Sequence, residues 1–243
     1  MQRRQRLLVG LLPERVGRAV SFLQEAEQAY DSAPAREVSS LARDLLIATI
    51  DPTTGKIWNN ARYAVPTAVL VELAYEGRLD VAVYGRKRKV KLSLRDAAPL
   101  GDPELDDAML TIGSGILGSR LTVLVDSLPQ TEQFLRRLIK EGVVVEETHR
   151  RFGITTRRYR TTPSSGREQV AARVRSALLG ESIPDDRTAL LISSLVDVHL
   201  KVFVDKPQVR EARRRAEELR ARIGEDERAI IHAVVEHMTN QDG

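Results

Sequence analysis

Residues 61 to 81, ARYAVPTAVLVELAYEGRLDV, decide the fold that we predict for this chain. The residues after Pro66 are apolar nearly all the way around a helix, which is the pattern of a buried helix, and Gly77 is typical of a helix end. We therefore predict a buried helix that begins near Pro66, followed by a strand at 79–84. Glu72 interrupts the apolar run, and we expect it to be a structural partner for a backbone amide or an arginine rather than a catalytic acid.

The periodicity of the remaining sequence predicts a mainly α protein with a few short β-hairpins. A strand is expected at 45–50, and one continuous central helix at 186–203, because both segments are strongly apolar. Further helices are predicted at 102–112, 121–127, 130–141, 168–179, 208–223 and 225–238, and hairpins at 79–94 and 145–162. Asp102, which precedes Pro103, is the expected N-cap of the first of these helices. We assign residues 1–36 to a basic N-terminal extension, helical or flexible, and residues 37–243 to a single largely helical globular domain.

The composition is that of an ordinary globular protein. The chain has 243 residues, of which 42% are hydrophobic and 30% charged, so it can bury a sizeable core. It has no cysteine, which excludes disulfides and thiolate metal ligands. No apolar run approaches the roughly 20 residues of a spanning helix, and the run at 7–12 is too short for a signal peptide. We therefore expect a cytoplasmic location.

Motifs for catalysis, cofactors and metals give no consistent site. Gly113, Gly115 and Gly118 match G-x-G-x-x-G, but a helix is predicted before them, where a dinucleotide site needs a strand. The four histidines lack the spacing of a zinc motif, and His199 is expected to be an interior histidine because its segment is apolar. We therefore expect no catalytic residue, no cofactor and no metal site, and a protein that is not an enzyme.

Basic residues are concentrated in the two predicted hairpins. Residues 84–95 hold six basic residues and no acid, and the hairpin at 145–162 has arginines on both sides of a tip with one aromatic residue. The residues at this second tip are Arg150, Arg151, Phe152, Arg157 and Arg158. Such a tip is typical of contact with an anionic partner. The residues alone leave open an anionic membrane, a nucleic acid and a protein partner.

A nucleic-acid interpretation rests on the order of elements. A helix at 130–141 followed by a basic hairpin is the arrangement of a winged-helix DNA-binding module. The predicted helix offers few side chains that read base edges, namely Gln130, Gln133, Arg136 and Arg137. We keep DNA binding as the alternative function.

The order of several motifs resembles the Golgi phosphoprotein 3 family. They are LLIATIDPTTGKIW at 45–58, VLVELAYEGRLDV at 69–81, PLGDPELDDAM at 99–109, FLRRLIKEGVVVEE at 134–147 and, at 178–195, LLGESIPDDRTALLISSL. The resemblance covers roughly residues 38–238, and the arginine- and alanine-rich composition is similar to that of prokaryotic members. It implies a mostly helical single domain that is peripherally associated with membranes.

The resemblance also implies a binding site for the headgroup of phosphatidylinositol 4-phosphate. The tryptophan–asparagine pair of that site matches Trp58 and Asn59, whereas Pro66 and residues 128–131 stand where eukaryotic members have further basic ligands. The headgroup residues expected for this chain are therefore Trp58, Asn59, Arg62, Arg136 and Arg137.

The resemblance also implies partners other than lipid. The hairpin at 145–162 is implied to contact the bilayer and to join copies of the chain into a homo-oligomer. An adaptor role implies the tails of membrane enzymes as further partners. The resemblance favours anionic membrane lipid over nucleic acid as the ligand of the basic residues.

Overall fold

The computed structural model describes residues 20–26, 29, 34, 39–57, 61–86, 88–115, 120–128, 131–151, 154–195 and 200–241. These residues form a mainly helical fold with two separate two-stranded antiparallel sheets, as the sequence predicts. No helix among them has the length and apolar composition needed to cross a bilayer. Most of the predicted extension at 1–36 lies outside the described residues, so its boundary stays a prediction.

The elements follow the chain in a simple order. The first half consists of α1 (Leu41–Thr49), α2 (Ala61–Tyr75), β1 (Leu79–Tyr84), β2 (Lys89–Leu94), α3 (Pro103–Gly113), α4 (Leu121–Ser127) and α5 (Thr131–Lys140). The second half consists of β3 (Val144–Arg151), β4 (Ile154–Thr161), α6 (Arg167–Leu178), α7 (Asp186–Ser194), α8 (Leu200–Phe203), α9 (Val209–Arg220) and α10 (Glu225–Gln241). Short 3₁₀ turns at Pro163–Ser165 and Lys206–Gln208 precede α6 and α9.

Helix α2 is the central element, and its burial confirms the prediction from its sequence. Every side chain from Tyr63 to Leu73 is buried, and the helix contacts α1, α10, α7 and strand β1. Its end is also as predicted: Gly77 has φ +68°, and Arg78 N–H donates to the Leu73 carbonyl at 2.8 Å. This turn leads the chain directly into the first hairpin.

The predicted start of α2 at Pro66 is wrong. The helix begins at Ala61, so Pro66 lies inside it and removes one backbone hydrogen bond. The Thr67 hydroxyl donates to the Tyr63 carbonyl at 2.6 Å in the same turn. The helix continues through the proline because packing on all sides outweighs the lost hydrogen bond.

The strand expected at 45–50 is wrong, because residues 45–49 belong to helix α1 and Ile50 is its C-cap. Helix α1 starts after Ser40, whose hydroxyl accepts from Arg43 N–H at 3.4 Å. Almost all side chains of α1 are buried, so the sequence shows no polar face and no helical period. A short apolar run of this kind cannot be distinguished from a buried strand by periodicity.

The single helix expected at 186–203 is also wrong. Helix α7 ends at Ser194, where Leu195 is extended, and α8 (Leu200–Phe203) is a separate short helix. The Arg220 guanidinium of α9 donates to the carbonyls of Ser193 and Leu195 at 3.3 and 3.4 Å, which satisfies acceptors at the end of α7. No glycine or proline marks this end, so only a tertiary contact reveals it. The predicted interior position of His199 lies outside the described residues.

Glu72 is structural, as predicted, and it joins three helices. Its carboxylate is fully buried on α2 and accepts from Leu41 N–H, at the start of α1, at 2.7 Å. It also accepts from the Arg187 guanidinium, at the start of α7, at 3.1 Å. Arg187 itself donates to the Ser39 carbonyl and lies 3.6 Å from the Asp44 carboxylate. Both kinds of partner expected for Glu72 are therefore present.

Replacing Glu72 with glutamine should destabilise the protein by roughly 3 kcal/mol, because Arg187 loses the closer of its two carboxylate partners and keeps only Asp44. Chemical denaturation of the purified variant measures the loss. Glu181→Gln is the matched control, since Glu181 is exposed, and it should change the free energy of unfolding by less than about 0.5 kcal/mol. Equal stabilities of the two variants would contradict a central role for Glu72.

Candidate functional site

The turn between α1 and α2 is closed by its own hydrogen bonds. The Asp51 carboxylate accepts from Thr53 N–H at 2.9 Å and from Thr54 N–H at 2.7 Å. These bonds, that from Thr54 above all, lower the pKa of Asp51 below its ordinary value. Gly55 N–H then donates to the Asp51 carbonyl at 2.8 Å, which closes the turn. The chain is therefore held in one conformation just before residues 58–60.

This turn is attached to strand β4 of the basic hairpin. Tyr159 N–H donates to the Gly55 carbonyl at 2.7 Å, across more than 100 positions of sequence. Gly55 has φ +66°, and a Cβ at this position would lie 2.9 Å from the Tyr159 carbonyl oxygen. Only glycine satisfies both constraints without strain. The loop that leads toward Trp58 and the arginine-rich hairpin thus form one surface.

The hairpin of β3 and β4 is anchored at its base and exposed beyond it. Val144 pairs with Thr161 at the base, where Val144 is buried. Tyr159 is half-buried against the core, while Arg150, Arg157 and the other described side chains toward the tip are exposed. Residues 144–161 hold five arginines and two glutamates, a formal charge of +3.

Two of these arginines have acidic partners on the hairpin, and two others do not. Arg157 contacts Glu146 at 3.3 Å and Arg160 contacts Glu147 at 2.8 Å. The hydrogen bond with His149, and then Arg160, lower the pKa of Glu147. Among the described residues, Arg150 and Arg158 form no ion pair. Their charges are available to an external anion.

The predicted headgroup residues are only partly described. Trp58 and Asn59 lie outside the described residues, and Arg62 is described only by its backbone, in the first turn of α2. At the hairpin tip, Arg151 pairs through its backbone with Ile154, and Phe152 is outside the described residues. The roles of these residues stay predictions.

Arg136 and Arg137 have opposite environments. The Arg136 side chain is 74% exposed and lies 4.0 Å from Glu132, at the limit of an ion pair. Arg137 points inward and contacts Glu104 of α3 and Glu141 at the end of its own helix. Arg136 is therefore accessible to a ligand, whereas the charge of Arg137 is already used between α3 and α5.

Glu104, the buried partner of Arg137, has an altered proton affinity. Its side chain is 12% exposed. Burial, supported by the nearby Asp102 charge and opposed by Arg137, raises the pKa of Glu104 from its ordinary value to about 7. Asp102 is also the N-cap of α3, as predicted, and accepts from Leu105 N–H at 3.1 Å. No local pattern in the sequence reveals this pair, because Glu104 and Arg137 lie 33 positions apart.

The attachment of the turn to β4 was also missed. The signal in the sequence is the Asp51-Pro52 turn with glycine at position 55, but it does not show which strand the glycine contacts. The glycine-rich motif at 113–118 has a helix before it, as expected: α3 ends at Gly113. Gly115 follows with φ +63°, and Gly118 lies outside the described residues.

A comparison with protein-family models supports the motif-based resemblance. The model of the family described as Golgi phosphoprotein 3 (GPP34) matches residues 41–238. The matched range runs from the start of α1 into α10 and includes the turn at 51–57 and the hairpin at 144–161. No curated protein matches the chain.

Gly55→Ala should weaken the attachment of the turn to β4 and destabilise the protein by about 2 kcal/mol, from backbone strain and the contact with Tyr159. Gly180→Ala is the control, because Gly180 also has positive φ but has open space around its Cα. It should cost only about 1 kcal/mol of backbone strain. Thermal denaturation compares the two variants, and an equal loss would show that contact with Tyr159 adds nothing.

Because the folded-state pKa of Glu104 is raised, its protonation stabilises the fold. The contribution is fully present below the ordinary value of 4.5 and is lost as the pH rises through about 7. The free energy of unfolding should therefore increase by roughly 1 kcal/mol from pH 8 to pH 5 relative to Glu104→Gln, discounted for residual solvation. Urea denaturation of both proteins at each pH measures the difference, and parallel pH profiles would contradict the assignment.

Proposed function

Because the chain belongs to the Golgi phosphoprotein 3 family, we propose that it is a non-enzymatic, peripheral membrane protein that binds anionic phospholipid headgroups. Family membership suggests a phosphoinositide, with phosphatidylinositol 4-phosphate as the first ligand to test. The observation that best supports the proposal is the turn at 51–57 attached to the basic hairpin. This attachment brings the loop toward Trp58 and the exposed arginines onto one surface.

The charges of this surface suit reversible membrane binding. Each Lys or Arg near an anionic bilayer contributes on the order of 1 kcal/mol. With its formal charge of +3, the hairpin therefore contributes about 3 kcal/mol, and exposed Arg136 adds to it. Val145, which is 48% exposed on β3, offers apolar surface beside these charges. Insertion of Phe152 at the tip would add roughly 1.5–3 kcal/mol.

The exposed side of α5 favours a membrane over DNA. A winged-helix protein inserts the helix before its wing into the major groove. In α5 the exposed side carries Glu132 beside Arg136, and Arg137 is held by Glu104 and Glu141. A carboxylate on a groove-facing helix would repel phosphates, and the inward arginine could not read a base. DNA binding remains the competing outcome in the experiments below.

The hairpin also supports the remaining partners that we propose. A second copy of the chain could pair with its exposed strands, and the charged surface could hold the tails of membrane enzymes while the lipid anchors the complex. In this function the protein is an adaptor, cytoplasmic and bound to the membrane surface through several weak contacts.

Vesicle flotation of the full chain tests the proposal. Simultaneous replacement of Arg150, Arg157 and Arg158 with serine should weaken binding to anionic vesicles by about 100-fold, since three charges of about 1 kcal/mol each are lost. Replacement of Arg210, Arg213 and Arg222, which are exposed at and after α9, removes the same charge and should leave most of the binding. An equal loss of vesicle binding in the two triple variants would contradict the proposed role of the hairpin.

A second arm of the same experiment addresses lipid specificity. Vesicles of phosphatidylcholine, of phosphatidylserine mixtures and of phosphatidylinositol 4-phosphate mixtures are compared at matched total charge, with Trp58→Ala beside the natural chain. We expect a preference for the phosphoinositide that disappears in the Trp58 variant. Competition by duplex DNA that displaces the protein from every vesicle would support the nucleic-acid alternative instead.

A further inference from the structure

A separate basic cleft lies between the first hairpin and the last helix. It has a volume of about 230 Å³ and is bounded on one side by β1–β2 and on the other by the beginning of α10. Val83, Val90 and Ala229 form its apolar walls. None of its lining residues belongs to the turn at 51–57 or to the hairpin of β3 and β4.

The polar lining of the cleft consists mainly of cationic and hydrogen-bond-donating groups. Arg88 comes from the turn of the first hairpin, whereas Arg228 and His232 lie one turn apart on α10. Two guanidinium groups and an imidazole N–H converging on one space are the donors that bind phosphate and carboxylate oxygens. Arg228 donates to the Ala221 carbonyl at 3.1 Å, and no ion pair of either arginine occurs among the described residues.

The backbone at Arg88 is strained. Arg88 has φ +44°, and it is the one non-glycine residue with positive φ in the part of the chain that the structure describes. Glycine or asparagine would occupy this conformation at lower cost. Its N–H closes the turn by donating to the Gly85 carbonyl at 3.1 Å, a bond that needs no side chain. A strained arginine whose side chain lines a cleft indicates that the side chain has a function there.

The volume of the cleft and its acidic lining residue limit the class of ligand that it can bind. Its volume corresponds to roughly eight water molecules at ~30 Å³ each, which suits the polar end of a small molecule better than a whole nucleotide. Glu225, in the first turn of α10, also lines the cleft and can accept from a hydroxyl group. The lining therefore suits a small molecule that carries both a phosphate and a hydroxyl.

We propose that the cleft between β1–β2 and α10 binds a small hydroxyl-bearing phosphate monoester, with Arg88, Arg228 and His232 on the phosphate and Glu225 on a hydroxyl. The shared chemistry has two sources, a free metabolite or the phosphate headgroup of a lipid. This site is independent of the surface at the second hairpin, so its existence does not depend on the function proposed above.

Isothermal titration of the full chain with glycerol 3-phosphate at low ionic strength tests the proposal. Arg88→Gln should lower the affinity at least about tenfold, since a charge-assisted hydrogen bond is lost. Arg86→Gln is the matched control: Arg86 is exposed on the same turn, carries the same charge and does not line the cleft. Arg88→Gly adds a test that misfolding cannot mimic, because it should remove binding while leaving the melting temperature unchanged or raised.

The results of these titrations distinguish a free metabolite from a lipid headgroup as the ligand, and both from a diffuse basic surface. Binding of soluble glycerol 3-phosphate that is lost with Arg88→Gln but not with Arg86→Gln supports a metabolite site. The same pattern seen only with vesicles that carry lysophosphatidic acid, whose glycerol keeps one free hydroxyl beside the phosphate, supports a lipid headgroup. Trp58→Ala should leave either pattern intact. Equal losses for Arg86→Gln and Arg88→Gln would reveal a diffuse basic surface and overturn the proposal, as would binding to neither probe.

Discussion

A carboxylate that is fully removed from water must find hydrogen-bond donors and a cation, because the unpaired charge is destabilised by several kcal/mol. Glu72 meets this requirement with the first N–H of α1 and the guanidinium of Arg187 at the start of α7. Arg187 in turn lies close to Asp44, whose carboxylate is 3.9 Å from Arg173 of α6. Four helices are thus positioned around one charge, and the turn that carries the candidate surface begins where α1 ends.

Pairing decides which basic residues of this protein are structural and which can meet a ligand. Arg137 and Arg187 have the same side chain as Arg150, yet each is held by carboxylates between helices. Arg150 lies on an exposed strand without an acidic partner among the described residues. A guanidinium already paired would lose those contacts on binding a phosphate, so its net gain is small, whereas an unpaired one gains the full interaction. The modest formal charge of +4 for the whole chain hides this division.

The two basic hairpins use backbone conformation in opposite ways. Next to the second hairpin, Gly55 of the turn at 51–57 permits a close contact with Tyr159 of β4 that no other residue allows without strain. At the first hairpin, Arg88 occupies a left-handed conformation that glycine would adopt more easily. The glycine at position 55 lowers the free energy of the fold. The conformation of Arg88 raises it and places a cationic side chain beside α10. Such local strain is typical of positions selected for binding rather than stability.

The sequence by itself determined the fold class, the buried position of α2, the caps at Asp102 and Gly77, the two hairpins and the family. These features depend on periodicity and on residues within a few positions of one another, which the sequence shows directly. Only the tertiary structure decided that residues 45–49 are helical and that α7 ends at Ser194. Only the tertiary structure shows that Gly55 contacts Tyr159 and that Arg137 contacts Glu104. The physical reason is that fully buried segments lose their polar face, and contacts between residues far apart in sequence leave no local pattern.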